Sequence, residues 1–568
     1  MKLQKKKMGV LGFVCIFMSF ALLFVLSIPT ISGESVRFSS TYKDSPVTLK
    51  GTYWEADDAE YAVLICPGYS CDRQKWRPFA DLFVANGCTT MTFDYSGQGG
   101  SSGTIGFDNA KTDAIPVQIG DAIEVLHEKS GVDYDHIILV GHSMGGRSIL
   151  RLLYDYNAPD AITTVIKREI GNVILISPEV NYNYNAQASL FAGTSDEFEE
   201  PWHSFREEWI TGTNVYLFGS TADDIVSGRD ILAIYSHLGG TGVPTSGTWN
   251  AVQENNVGST ITVGITSGVL HSYQMYSPKF AAFVNDALTE ITGSVSTFRP
   301  WMFTFVYLGW FLGLAGLLLT LLSLNKGSKW VAADTVPNLL DTKKFLLHKA
   351  LMWLPGTAAA LVICCICVCM PFGSPVMNIP YMCFIAGYGI VMALAYQRGN
   401  FKGTSGKLPK LSFKVDGGKK ALAVCCAVSI GLCFFVWYVL RATMYRLIPL
   451  NARLFWVTFA TVIMAVGYYV SGCETDMLQK AGVGTGVKVI YNLIQYVPLF
   501  LLIGFYLILR SYSGLIGQVQ NMILMYVFCI PLGNYIKKKT GSQLFGAILT
   551  AFLFQTLMIT SAALISIF

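Results

Sequence analysis

Charge is scarce in this chain: Asp, Glu, Lys and Arg together make up 14% of its 568 residues, while 52% are hydrophobic. The shortage is uneven. Beyond residue 299 or so, the apolar runs carry no acidic or basic residue well inside them. That counts against an ion- or proton-coupled transporter, because a group within the membrane must bind the moving charge. No Cys/His spacing resembles a zinc site, so no metal is expected. The Gly-rich run Ser96–Gly106 lacks Gly-Lys-Ser/Thr and is not a phosphate loop. No basic-aromatic array points to nucleic acid. Of 14 cysteines, ten fall between Cys364 and Cys529, and only Cys66, Cys71 and Cys88 lie in the polar half. An odd count is no disulfide framework, so free thiols are expected, and no cofactor is implied.

The composition divides the chain. Lys2, Lys5, Lys6 and Lys7 precede an uncharged apolar stretch, Met8 to Ile28. Residues 1–33 therefore read as a signal anchor or signal peptide, and the length of the stretch favours an anchor. Residues 34–298 have the mixed composition of a soluble domain. Residues 299–568 read as eight membrane helices, near 301–324, 350–372, 380–397, 421–440, 454–472, 489–509, 514–536 and 543–568. Pro355, Pro498 and Pro531 are expected to kink them. Loops 325–349 and 398–420 and the run Lys537-Lys538-Lys539 are basic and fall on one side if every span crosses. The positive-inside rule then puts them in the cytoplasm and residues 34–298 outside, in an integral protein of the cell membrane. Loop 441–453, with Arg441, Arg446 and Arg453, fits this least well.

Within 34–298, short runs are apolar at nearly every position: Tyr61–Cys66, Thr89–Asp94, Ile137–Val140, Asn172–Ile176, Asn214–Phe218 and Thr260–Ile265. Strands of that kind are buried on both faces, as in a parallel sheet covered by helices. Val36–Tyr42 and Val47–Trp54 read as an antiparallel hairpin at its edge. After one strand comes Gly141-His142-Ser143-Met144-Gly145, and a helical stretch follows. Strand, Gly-x-Ser-x-Gly, helix is the context of a nucleophile elbow, in which Gly141 and Gly145 let the backbone pass close to an exposed serine.

Four landmarks make residues 45–292 resemble the α/β-hydrolase family, in particular small-cap serine hydrolases such as monoacylglycerol lipases, esterases and serine aminopeptidase-like enzymes. They are Cys66-Pro67-Gly68-Tyr69, the loop Asp94-Tyr95-Ser96-Gly97-Gln98-Gly99-Gly100-Ser101, the elbow, and an acid and a histidine in the family's chain order. The resemblance implies an α/β-hydrolase fold, with a mostly parallel sheet and a short cap at about 179–212, ahead of the all-α membrane region. It implies Ser143 as nucleophile and His271, after the last strand, as base. Asp223 is the acid, with Asp224 as the alternative, because this turn has one residue more than the family's. The N–H groups of Met144 and Tyr69 form the oxyanion hole.

The cap carries Tyr182, Tyr184, Phe191, Phe198, Trp202, Phe205 and Trp209 beside Asp196, Glu197, Glu199 and Glu200. The expected activity is cleavage of acyl esters, with membrane lipids or amphipathic esters as partners by placement alone. Peptidase, aminopeptidase or acyltransferase chemistry on the same residues stays open. So does a ligand-binding domain without catalysis on a transport or sensor protein.

Overall fold

A computed structural model of the chain describes residues 2–106, 114–157, 170–179, 207–241, 249–294, 300–325, 336–375, 378–412, 418–440, 452–508, 512–559 and 562–565. Helix α1 (Lys2–Leu26) leads into hairpin β1 (Glu34–Tyr42) and β2 (Ser45–Trp54). Lys43 and Asp44 both take left-handed φ, of 48° and 61°, as a two-residue hairpin loop requires. There follow β3 (Ala62–Cys66), α2 (Arg77–Ala85), β4 (Thr89–Asp94), α3 (Ile115–Ser130), β5 (Ile137–His142), α4 (Met144–Asn157), β6 (Asn172–Ile176), β7 (Asn214–Ser220), α5 (Gly228–His237), β8 (Trp249–Glu254), β9 (Thr260–Thr266) and α6 (Pro278–Thr292). The nine strands form one sheet in the order β1-β2-β4-β3-β5-β6-β7-β9-β8. The run from β4 to β9 is parallel, and the hairpin and β8 flank it antiparallel.

Successive strand residues point to opposite faces, and both faces are covered. Leu64, Leu139, Val173, Leu175, Val215 and Leu217 pack under α3, α4 and α5. Val63, Ile65, Ile138, Val140, Ile174 and Phe218 pack under α2 and α6. Each such side chain contributes about 1.5–3 kcal/mol on burial, and this doubly buried pattern is why the strands are apolar throughout. The α/β-hydrolase fold expected from the sequence is the fold observed, with β8 as an edge strand that the sequence reading missed.

The helical region comprises α7 (Phe303–Asn325), α8 (Thr342–Leu351), α9 (Trp353–Val368), α10 (Ile379–Gln397), α11 (Gly418–Leu440), α12 (Ala452–Lys480), α13 (Thr485–Gln495), α14 (Val497–Ile508), α15 (Tyr512–Leu524), α16 (Ile530–Thr540) and α17 (Gln543–Ile559). Among the described residues, seven helical stretches are long and apolar enough to cross a membrane: Lys6–Leu26, Pro300–Asn325, Thr342–Val368, Ile379–Gln397, Gly418–Phe435, Ala452–Lys480 and Leu515–Thr540. Two expected spans differ. The stretch 489–509 is broken between α13 and α14, just ahead of Pro498, whose ring cannot continue the helical hydrogen-bond ladder. The last span, drawn to 568, is a shorter apolar helix ending at Ile559. Ile565 beyond it makes β-bridges to Ile105 and to Ser374. Before Pro531 the helix relaxes into a π turn, Met525–Cys529.

The helices also run past their apolar stretches into buried charge. Lys349 pairs with Glu474 at 2.5 Å, and Tyr396 and Tyr491 donate to the same carboxylate. Lys537 pairs with Asp476 at 2.7 Å. Arg453 lies at the opposite end of α12, about 31 Å away by helical rise. It is not a loop charge. Fully buried, it donates to the carbonyls of Ala562 (2.9 Å) and Gly97 (2.7 Å).

Candidate active site

In a parallel sheet the carboxyl ends of all strands share one edge, and Tyr69, Ser143, Asp223, Asp224 and His271 lie in the connections that leave β3, β5, β7 and β9 at that edge, with Met144 opening the helix after β5. Ser143 sits between β5 and α4 with φ 53°. A left-handed serine at a strand-to-helix turn is the strained conformation of a nucleophile elbow. Its neighbours permit it by close approach. A Cβ on Gly145 would fall 2.2 Å from the Cys66 carbonyl oxygen, and one on Gly141 would fall 2.7 Å from the Cα of Gly146. Met144, the first residue of α4, has an N–H with no acceptor inside its helix. The loop after β3 runs alongside, where Gly68 approaches Ser143 so closely that a Cβ would lie 3.1 Å from the serine Cβ. Tyr69 is the next residue of that loop.

Asp223 and His271 come from different loops, after β7 and β9. The Nδ1 of His271 lies 2.9 Å from Asp223 Oδ2 and 3.1 Å from Oδ1. The backbone N–H groups of Ile225 and Val226 donate to Oδ1 at 2.9 and 2.8 Å. Asp224 takes a different place: its carboxylate accepts the backbone N–H of His271 at 3.4 Å. The side chain of the alternative acid therefore meets the histidine's backbone, and that of Asp223 meets its ring. Burial alone would raise the Asp223 pKa, but the facing His271 and the two backbone donors hold it below the ordinary carboxylate value. Burial likewise lowers that of His271, yet the Asp223 charge outweighs it and leaves the imidazole above 6.5. Among the described residues no hydrogen bond joins the Ser143 hydroxyl to His271.

Several partners were not foreseen. Gln274, fully buried in the turn that begins at His271, donates from Nε2 to Asp223 Oδ2 at 2.7 Å and to Ser177 Oγ at 2.9 Å. Its spacing of three from the histidine was the one available signal. His142 lies behind the site, with its ring centroid 4.6 Å from that of His271 and 5.2 Å from that of Trp76. The backbone of His271 and the side chain of Gln274 face its ring without forming a close hydrogen bond, and burial, followed by the neighbouring His271, drives its pKa well below 6.5. Burial thus favours its neutral form beside the His271 ring.

Asp94 organises the loop after β3. Its carboxylate accepts the Arg73 backbone N–H at 2.8 Å, pairs with the Arg73 guanidinium, and accepts the Gly100 N–H at 2.7 Å. Gly99 takes φ 47°, and a Cβ there would strike that carboxylate at 2.3 Å. The loop motif seen in the sequence is thus a clamp on the segment that carries Gly68 and Tyr69. Cys66, Cys71 and Cys88 are free and buried, and burial pushes the Cys66 and Cys71 thiols up and that of Cys88 to about 12, so none is an activated thiolate. Among the described residues no cluster of His, Cys, Asp or Glu could hold a metal. Of the cap residues, Trp209 is buried in the turn Glu207–Ile210, and those between 182 and 205 lie outside the described residues.

Residues 61–203 match the family described as the alpha/beta hydrolase fold. Similar solved structures include an esterase of Pyrococcus furiosus, at 16% identity over 46% of this chain and 94% of that one, with a TM-score of 0.32. A carboxylesterase of Lactobacillus plantarum is similar at 14% identity over 43% of this chain and 86% of that one, with a TM-score of 0.32. A carboxyl esterase of Bacillus coagulans is similar at 10% identity over 47% and 99%, with a TM-score of 0.33. No curated protein matches the chain.

Proposed function

We propose that this α/β-hydrolase fold is a serine hydrolase of acyl esters, built into a membrane by its helices and held on the extracytoplasmic side. The observation that carries the reading is the buried Asp223–His271 pair at 2.9 Å, on the same sheet edge as a left-handed Ser143. In this account Ser143 Oγ attacks the acyl carbonyl while His271 takes its proton through Nε2. Asp223 holds the tautomer and stabilises the imidazolium. The Met144 and Tyr69 N–H groups receive the oxyanion, each contributing about 3 kcal/mol to the transition state. The ester C–O bond then breaks, with the proton passing from His271 to the leaving alcohol. Water, activated by the same histidine, releases the acid and restores Ser143.

The domain plan is an anchor at 1–33, the hydrolase at 34–298 and the helical region at 299–568. The packing of α1 along α7 supports an uncleaved anchor. Ser19 Oγ donates to the Gly309 carbonyl at 2.6 Å, and a Cβ on Gly316 would lie 2.8 Å from the Gly12 oxygen, so the two backbones nearly touch. Hydrolysis of p-nitrophenyl acetate by the purified full-length protein tests the reading. Turnover that disappears in Ser143→Ala supports it, and turnover equal in that variant contradicts it.

A further inference from the structure

The sheet edge that carries Ser143, Asp223 and His271 rests on the apolar helices through three separate connections between strands, the first of them through helix α2. After β3, Phe79 meets Phe303, the first residue of α7, edge-on at 5.4 Å. After β4, Gly97 accepts from Arg453 and from the Leu564 N–H, both at 2.7 Å, and the Ile105 N–H donates to the Leu564 carbonyl at 3.0 Å. After β9, the turn His271–Tyr276 touches α15, and its Tyr276 meets Trp310 of α7 edge-on at 5.1 Å. Trp310 in turn packs edge-on against Tyr307 at 5.5 Å.

Tyr307 and Trp310 lie about 6 and 10 Å along the axis from Phe303, in a helix about 35 Å long, slightly more than the hydrocarbon thickness of about 30 Å. Helical side chains lean toward the N-terminus, so the Trp310 ring that Tyr276 meets lies in the first third of α7, and the turn bearing His271 sits toward the edge of the apolar layer. Among the described residues, the exposed Trp and Tyr side chains fall at this end of their helices: Trp301 and Tyr307 at the start of α7 and its lead-in, and Tyr512 at the start of α15, the helix that the His271 turn touches. Trp and Tyr concentrate at that depth because each has an apolar body and a polar tip.

We propose that the substrate is a glycerolipid acyl ester resident in the bilayer leaflet beside the hydrolase, taken laterally without leaving the membrane. This rests on the serine-hydrolase reading above. The ester carbonyl of such a lipid lies at the glycerol level, the level of the His271 turn, while its chain stays in hydrocarbon. Attack by Ser143 Oγ forms the acyl-serine ester and breaks the bond from the carbonyl carbon to the glycerol oxygen. That oxygen takes the serine's proton by way of His271, and water then yields the free fatty acid.

The test uses full-length protein in nanodiscs of diether phosphatidylcholine, which contains no acyl ester. The guest lipid is dioleoylglycerol or dioleoylphosphatidylglycerol, and p-nitrophenyl acetate is the soluble comparison. Oleate release is expected from at least one guest. Tyr307→Asp and Tyr512→Asp, which each place a charge in the lipid interface, are expected to lower oleate release roughly tenfold relative to acetate release. Cleavage of the soluble ester without oleate from either guest overturns the lipid proposal and leaves the hydrolase reading intact. Oleate release unaffected by both variants overturns the lateral route. Failure to cleave either ester overturns the hydrolase reading and the proposal with it.

Discussion

Gln274 reaches across the site to donate an amide hydrogen to Asp223 Oδ2 at 2.7 Å, the same oxygen that lies 2.9 Å from His271 Nδ1. One carboxylate oxygen is thus shared between the histidine and a fully buried amide that is itself tied to Ser177.

This sharing has a kinetic consequence. A hydrogen bond to a charged group is worth about 1.5–3 kcal/mol, so Gln274→Leu should lower kcat by roughly 10- to 100-fold. With one donor gone, the carboxylate holds the imidazolium more strongly, and the acid limb of the kcat/KM profile should move to higher pH. An unmoved limb would mean that Gln274 serves packing alone.

His271 must be neutral to act as base, and its pKa is raised above 6.5 once the Asp223 charge has outweighed burial. Activity in the wild type should therefore fall as pH drops through a value above 6.5. Asp223→Asn removes the charge and leaves burial, which favours the neutral ring. The limb should then move to lower pH, and kcat should fall by about 10⁴-fold through loss of tautomer control. A pH–rate profile of both proteins checks the sign. Asp224→Asn, which alters a 3.4 Å contact to the His271 backbone and a lesser charge contribution to its ring, should have a far smaller effect.

Asp94 and Arg73 are both buried, so removal of one charge strands the other. Asp94→Asn should cost about 3–5 kcal/mol in the α/β domain and lower its thermal midpoint by roughly 10 °C. Because the clamp holds the loop of Gly68 and Tyr69, the surviving folded protein should also lose kcat more than KM.

Arg453 and residues 562–565 tie the helices to the Gly97–Ile105 loop. Arg453→Ala removes two charged-donor bonds and should speed amide exchange at Ile105 by roughly 10- to 100-fold. Exchange at β5 and β6, deep in the sheet, should not change.

The parallel core strands were legible in the sequence because a doubly covered sheet demands apolar residues at every position, and the flanking Gly and Ser runs set their ends. β8 was missed because this edge stretch, with Asn250, Gln253 and Glu254, lacks the continuous apolar run of the central strands. The elbow was legible because its glycines are dictated by backbone contact. Asp223 and Asp224 could not be separated from the residues alone, since one extra residue left the register of the turn open, and their different partners depend on how that turn meets β9. Gln274, the Arg73–Asp94 pair and the Arg453 tie are contacts between distant segments, which local patterning does not report. The last helix ended early for the same reason: Ala563 and Ile565 belong to the core of the α/β domain, so an apolar run read as membrane span is partly domain interior.

The most direct test of the account is labelling of the full-length protein with a fluorophosphonate, with the adduct mapped by peptide mass spectrometry. The account predicts a single phosphonylated residue, Ser143, and no adduct in His271→Ala on the same timescale. Folded wild-type protein that takes up no probe, or takes it up at another serine, would contradict it.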